Sequence, residues 1–221
     1  MTRTTERPTG VYLLTPDWTD TGRLLAVTAA AVAGGVRWLQ YRNKRADSAL
    51  RRTQAKALRE LTLTHGARLV INDDVDLAIT SLADGVHVGR DDADPQPKLA
   101  REGIRMLVGV SCYDDFDRAR LAARNGADYV AFGSVYASAT KPAAVRAPLS
   151  LLGRARAEGM HVVAIGGIDA TNIKAVGHAG AHAAALIAAV YDAADPAAAV
   201  RELTTQFEQG KDLYESQRAA V

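Results

Sequence analysis

The polar residues able to do chemistry in this chain gather at the ends of short apolar runs. The first group is Gln40-Tyr41-Arg42-Asn43-Lys44. In extended backbone, side chains alternate, so Gln40, Arg42 and Lys44 share one side of the chain. Two cations and an amide at one spot suit a phosphate or diphosphate, Arg offering a bidentate fork and Lys a point charge. The same five residues also read as a solvated strand end with an ordinary basic loop. The second and third groups are Asn72-Asp73-Asp74 and His87-Val88-Gly89-Arg90-Asp91-Asp92. Carboxylates at adjacent strand ends, Asp73 and Asp92, suit one hard cation; Mg2+ takes one or two carboxylates together with substrate phosphates. The plainer reading makes these acids helix caps, Asp74 before a helix near Val75, and Asp91 or Asp92 before the next.

Five further features complete the inventory. Ser111 either ends its strand or holds a ligand with its hydroxyl. The long segment from Gly133 to Ala147 carries hydroxyls at Ser138 and Thr140 followed by Lys141, a set suited to phosphate in a loop able to act as a lid. Gly166-Gly167 precedes a helix opened by Asp169 or Thr171, and a glycine turn there exposes backbone N–H groups to an anion. His87 reads as a packed histidine, and Cys112 as a small core or loop residue, because no base can be named beside it.

These groups need elements that bring them together. Apolar runs rich in β-branched residues occur at Val11–Thr15, Val36–Tyr41, Arg68–Ile71, Gly85–Val88, Met106–Ser111, Tyr129–Phe132, His161–Ile165 and Ala183–Ile187. Between them, apolar residues recur at helical spacing, as in Leu24–Ala33, Ala49–Leu63, Phe116–Ala123 and Leu149–Ala157. A last helix is expected over Pro196–Phe207, with Asp195 as its N-cap. Eight strand–helix units in about 200–250 residues match a single-domain (β/α)8 TIM barrel, in which active-site groups sit at the C-terminal strand ends. The expected domain spans 1–221, with a short N-terminal extension at 1–9 and a polar C-terminal tail at 210–221 that frays. The alternative is a flavodoxin-like or Rossmann sheet, if Met106–Ser111 and Ala183–Ile187 are not strands.

Composition narrows the function classes. The chain has 221 residues, 48% hydrophobic and 24% charged, with a formal net charge of +2. So small a charge implies no strong field for nucleic acid or an anionic membrane. One cysteine forms neither an internal disulfide nor a cysteine-based zinc site. The longest apolar run, Ala183 to Tyr191, is far short of the ~20 residues of a spanning helix. No apolar segment precedes the first strand, so no signal peptide is expected and the expected location is the cytoplasm.

Six blocks, QYRNK, LVINDD, GVHVGRDD, VGVS, ADYVAFGSVYASATKP and VVAIGGI, resemble in order and spacing the thiamine-phosphate synthase family, from about Val11 to Tyr191. The resemblance implies a (β/α)8 barrel and a transferase that joins a hydroxymethylpyrimidine diphosphate to a thiazole phosphate, releasing diphosphate and using Mg2+. It implies that Gln40, Tyr41, Arg42, Asn43, Lys44 and Asn72 bind the pyrimidine diphosphate, with Asp73 and Asp92 on the metal. Ser111 and Lys141 would touch the same substrate. Ser138, Ala139, Thr140, Gly167, Ile187 and Ala188 would surround the thiazole phosphate. Arg42, Lys44 and Lys141 would meet the charge that builds on the departing diphosphate.

The chain departs from the family pattern at three places. Arg90 stands where Gln is common, Ala137-Ser138 where Pro-Thr is common, and Ala188 where Ser is common. The alternatives are a thiazole tautomerase of the same superfamily, a non-catalytic barrel that binds a thiamine precursor and regulates a partner, and another sugar-phosphate barrel enzyme. The expected partners are small-molecule substrates, with neither nucleic acid nor membrane. The oligomeric state is left open, a homo-oligomer included.

Overall fold

The computed structural model describes residues 6–137 and 145–219. Strands and helices alternate along the chain in the order β1 (Gly10–Leu14), α1 (Thr21–Ala33), β2 (Trp38–Tyr41), α2 (Ser48–Thr64), β3 (Arg68–Asn72), α3 (Val75–Thr80), β4 (Gly85–Val88) and α4 (Gln96–Arg101). They continue as β5 (Leu107–Tyr113), α5 (Phe116–Arg124), β6 (Tyr129–Phe132), α6 (Ser150–Ala157), β7 (Val162–Ile165), α7 (Ile173–His178), β8 (Ala183–Leu186), α8 (Ala188–Tyr191) and α9 (Pro196–Ala219). Every strand pairs in parallel with the next, and β8 closes onto β1, so the sheet is a closed eight-stranded barrel. Closure excludes the open-sheet alternative. Both strands in doubt on sequence, β5 and β8, are present; alanine-rich β8 is buried throughout, where small side chains let the barrel wall close up.

Alternation sorts the side chains into two cores. Tyr12, Leu14, Trp38, Val70, Leu107, Tyr129 and Val163 fill the barrel interior. Leu13, Leu39, Leu69, Ile71, Phe132 and Leu186 face outward under the helices. The strand register places Asn72 beside His87, His87 beside Gly109, and Gly109 beside Tyr129. One interior layer therefore runs through those four residues.

Helix starts at the C-terminal end of the barrel are set by aspartates. Asp20, Asp47, Asp74 and Asp115 accept the backbone N–H of Arg23, Leu50, Leu77 and Arg118 at 2.8–2.9 Å. Asp195 does the same for Ala198 at 2.9 Å. Each such cap contributes about 1 kcal/mol. Asp91 and Asp92 cap no helix: α4 opens only at Gln96, behind Pro95, and Asp92 instead accepts the N–H of Gly89 at 2.8 Å.

The last helix runs from Pro196 to Ala219, past its expected end at Phe207. Gly210, inside the tail expected to fray, is a packing residue. A Cβ there would lie 2.0 Å from the carbonyl oxygen of Lys174, and one on Gly177 of α7 would lie 2.4 Å from that of Phe207. Paired glycines let α7 and α9 approach closely, and that contact holds the polar C-terminal segment in helix. None of the helices among the described residues is long and apolar enough to cross a membrane.

Candidate active site

A cavity of about 250 Å³ opens at the C-terminal ends of the strands. Gln40, Arg42, Asn72 and Ser111 line it from one half of the barrel, and Gly167, Ile187 and Ala188 from the other. Leu14, Val163, Ile165 and Ala185 supply an apolar wall between them. The site is thus an apolar slot with Arg42 at one end and glycine turns at the other.

The charged end is built from β2, β3 and β4. Arg42 donates through one guanidinium nitrogen to both carboxylate oxygens of Asp17, at 3.0 and 3.2 Å. Asp17 also accepts the Lys44 backbone N–H at 2.8 Å, so one acid after β1 orients both cations of the β2 end. Thr15 ties the same loops together, accepting the Arg42 N–H at 2.8 Å and donating to the Arg42 carbonyl at 2.9 Å. Lys44 reaches across to Asp73, with Nζ 3.0 Å from Oδ2.

Asp73 has a left-handed backbone, φ 64°, uncommon outside glycine. Its N–H donates to the carbonyl of His87 at 2.8 Å, which turns its carboxyl toward β4. There it lies within hydrogen-bonding reach of Asp92. Burial lifts the Asp73 carboxyl above the ordinary carboxylate range, Lys44 opposes that, and the like charge of Asp92 adds to it. Two carboxylates pressed together, with an ammonium already drawn to one, form a donor set that fits a small divalent cation. No third His, Cys, Asp or Glu joins them among the described residues. That set suits Mg2+, which keeps waters and substrate phosphates as its other ligands.

Below the charged groups lies a neutral polar floor. Gln40 Nε2 donates to the Tyr12 hydroxyl at 2.9 Å, and Tyr12 and Tyr129 share a bond of 3.0 Å. Tyr129 meets His87 Nδ1 at 3.1 Å, and His87 Nε2 meets Ser111 Oγ at 2.8 Å. Burial drives the His87 pKa down to about 4, against the pull of Asp92, so the ring is neutral at pH 7. The sequence reading leaves His87 as packing alone; the structure sets it on the cavity wall, joined to Ser111. Tyr12 and Tyr129 were missed, because only barrel closure brings β1 and β6 side chains together.

Three described residues expected at the substrate, Tyr41, Asn43 and Lys44, do not line the cavity. The Tyr41 side chain turns outward and donates to Gln54 Oε1 of α2 at 2.9 Å. Asn43 donates to the Trp18 carbonyl at 2.7 Å and to Gln54 at 3.0 Å, and accepts the N–H groups of Arg45 and Ala46. The alternation that aims Gln40 and Arg42 inward necessarily aims Tyr41 and Asn43 outward. They border instead a second cavity of about 260 Å³ beside Lys44, Asp73 and Asp74.

At the opposite end, Gly166 and Gly167 have φ of 106° and 63°. A Cβ on Gly167 would lie 2.1 Å from the carbonyl oxygen of Ala137, so the turn requires glycine. Asp169 and Thr171 bond each other rather than capping α7, which starts after Asn172. Cys112 is fully buried, and burial pushes its thiol up to about 12, which rules it out as a nucleophile at neutral pH. Ser138, Ala139, Thr140 and Lys141 lie outside the described residues.

Residues 11–190 match the family model described as thiamine monophosphate synthase. The chain is 50% identical over 201 residues to a thiamine-phosphate synthase of Chromobacterium violaceum, covering 91% of this chain and 97% of that one. It is 48% identical over 212 residues to a thiamine-phosphate synthase of Bordetella pertussis, covering 93% and 98%. Among solved structures it is similar to a thiamine phosphate pyrophosphorylase from Pyrococcus furiosus, with a TM-score of 0.80 and 30% identity over 91% of this chain and 96% of that one.

Proposed function

The chain belongs to the thiamine monophosphate synthase family, a transferase that forms thiamine phosphate, and from that premise we propose how its own residues do so. The substrates are a 4-aminopyrimidine bearing a diphosphooxymethyl group and a thiazole phosphate. The observation that carries this reading is the two-ended slot: Arg42 at one end, with the Lys44–Asp73 pair and Asp92 bordering cavities beside it, a glycine turn at the other end, and an apolar wall between. A diphosphate suits the first end, a phosphate the second, and two stacked or adjoining rings the wall.

Gln40 presents an acceptor and a donor side by side, which matches an amino group next to a ring nitrogen. The C–O bond between the pyrimidine methylene and the diphosphate breaks, and the diphosphate takes the electron pair. The methylene carbon is left as a cation that the ring amino group stabilises. The thiazole nitrogen then closes the new C–N bond with its own lone pair, so no general base is needed.

Arg42 and Lys44, with Lys141 by family resemblance, meet the charge growing on the leaving diphosphate. Preorganised charge of this kind is stronger in the transition state than in the ground state. Each charge-assisted contact contributes roughly 1.5–3 kcal/mol, or about 10- to 150-fold in rate where it acts on the transition state alone. Asp73 and Asp92 would hold Mg2+, which when bound would supply further positive charge to the leaving group. Backbone N–H groups near Gly167 and Ala188 face the place of the thiazole phosphate, and by family resemblance the Ser138 and Thr140 hydroxyls bind it too. The Ala188 methyl removes one hydrogen bond that a serine would give.

The test is coupling of the pyrimidine diphosphate with the thiazole phosphate by the purified chain, followed by mass spectrometry, with Mg2+ and with EDTA. Thiamine phosphate formed only with the metal is the expected result. Folded protein that leaves both substrates intact in Mg2+ would overturn the reading in favour of a tautomerase or a binding protein.

A further inference from the structure

We propose that Tyr12, Tyr129 and His87 form a one-way hydrogen-bond relay that fixes how Gln40 and Ser111 face the substrate, so that all three are positioning residues for the reaction. The inference rests on the function proposed above for its substrate, but its geometry stands independently.

The direction of the relay follows from counting protons. Gln40 Nε2 only donates, so the Tyr12 oxygen accepts from it. The single Tyr12 proton then goes to the Tyr129 oxygen at 3.0 Å. Tyr129 in turn donates its proton to His87 Nδ1 at 3.1 Å. Nδ1 must therefore be bare, and a neutral imidazole then carries its proton on Nε2. Nε2–H donates to Ser111 Oγ at 2.8 Å, which leaves the Ser111 proton free to point into the cavity. Reversing any one link requires reversing them all.

The fold makes room for this relay deliberately. Gly109 separates His87 from Tyr129 in the strand register, and a Cβ there would lie 2.1 Å from the Tyr129 ring. Without a side chain at that position, the ring lies across β5 and stacks on His87, with centroids 5.5 Å apart. Tyr12 meets Tyr129 edge to face at 6.1 Å. Each phenol and the ring Nε2 donates once along the chain, so the bonds themselves account for every proton of the relay. The consequence is an asymmetric floor: Gln40 is locked with Oε1 and one N–H for the ligand, and Ser111 is locked as a donor.

Two measurements test it. In the intact wild-type chain, 15N-detected NMR of the His87 ring should show the Nε2–H tautomer; an Nδ1–H tautomer would overturn the relay whatever the protein's activity. Tyr129→Phe removes one hydroxyl and keeps the ring. It should raise the KM and the calorimetric Kd for the pyrimidine diphosphate about tenfold, the equivalent of one neutral hydrogen bond, and leave the thiazole phosphate KM within twofold. Tyr12→Phe should do the same through Gln40. Unchanged pyrimidine diphosphate affinity in both folded variants, or equal loss for both substrates, would overturn the proposal. Wild-type protein that binds no pyrimidine diphosphate would overturn the functional reading instead and leave the tautomer result standing.

Discussion

Gly109→Ala is the sharpest test of how the barrel floor is packed. The added Cβ would sit 2.1 Å from Tyr129 Cζ, 2.4 Å from its hydroxyl oxygen and 2.5 Å from Cε2. Ordinary carbon contacts lie near 3.5–4.0 Å, so the ring must move by roughly 1.5 Å. Tyr129 is 1% exposed and has no open side to move into. A shift of that size breaks its bonds to Tyr12 and His87, at 3.0 and 3.1 Å. Overpacking costs about 1–3 kcal/mol, and each lost neutral hydrogen bond about 1 kcal/mol. The stiffer unfolded chain gives back about 0.4–1 kcal/mol. The net expectation is a loss of roughly 2–4 kcal/mol, or about 4–16 °C in Tm for a domain of this size.

Thermal and urea unfolding of Gly109→Ala, Tyr129→Ala and the double variant would measure this as a cycle. Tyr129→Ala alone is costly through its cavity, by about 3–5 kcal/mol. In that background the methyl at position 109 has nothing to strike and should cost almost nothing. The argument fails if Gly109→Ala costs under about 0.5 kcal/mol, or costs the same in both backgrounds.

Four further outcomes are expected. Asp73→Asn retains a residue type that tolerates the left-handed φ of 64°, so its Tm should stay within a few degrees while turnover at saturating Mg2+ falls at least ~100-fold, a steady-state assay deciding. Asp84→Ala strips the partner from Arg59, a side chain 11% exposed and 2.7 Å away, and the acceptor from the Leu69 N–H; urea unfolding should show a loss of about 3 kcal/mol with kcat of the folded enzyme unchanged. At the other end of the barrel, His161 and His182 stack at 4.2 Å, and burial first, then His161 and the nearby cations, holds His182 down to about 3. The unfolded chain therefore binds more protons below the ordinary histidine pKa of ~6.5, so stability is full above that pH and falls as pH drops through 6 to 4; His182→Asn should flatten this fall in urea midpoints, and parallel curves would refute it. Arg90→Gln should change kcat/KM by less than about fivefold, since Arg90 is exposed and stacks at 4.6 Å on the Tyr113 ring with no ion pair to Asp92; a collapse in rate would place Arg90 in the substrate grip.

Much of this architecture was legible because it depends on local rules. Strand runs were visible in β-branched patterning, and Asp74 and Asp195 in cap chemistry. Alternation along β2 already implied that Tyr41 and Asn43 oppose Gln40 and Arg42, and the structure follows that rule rather than the contiguous block the family resemblance implied. What stayed hidden depends on closure. Tyr12 and Tyr129 are 117 residues apart, and nothing local in either strand announces their bond. Asp17 sits in an unpatterned loop, yet holds Arg42 and Lys44 from across β1. The C-terminal tail stayed hidden for a related reason: its polar composition suggests fraying, while the close approach of Gly210 to α7 that holds it in helix is a tertiary contact.

The floor and the rim of the slot depend on each other through charge. Above the floor, Arg42 and Asp73 are half-buried and Lys44 and Asp92 are exposed, so all four reach the water from which a charged substrate would enter. A protonated histidine a layer below would compete for that anion and pull it away from Arg42 and Lys44. Burial holds His87 near pKa 4 even with Asp92 drawing it the other way, so the floor adds direction without adding charge. The neutral phenols do the same on the β1 and β6 side. An anion entering the slot therefore meets cations only at its rim, while an uncharged ring meets donors and acceptors of fixed polarity beneath it. In the proposed reaction, that division would let the departing diphosphate and the heterocycle it leaves behind be held by separate groups, so that charge develops on one without disturbing the orientation of the other.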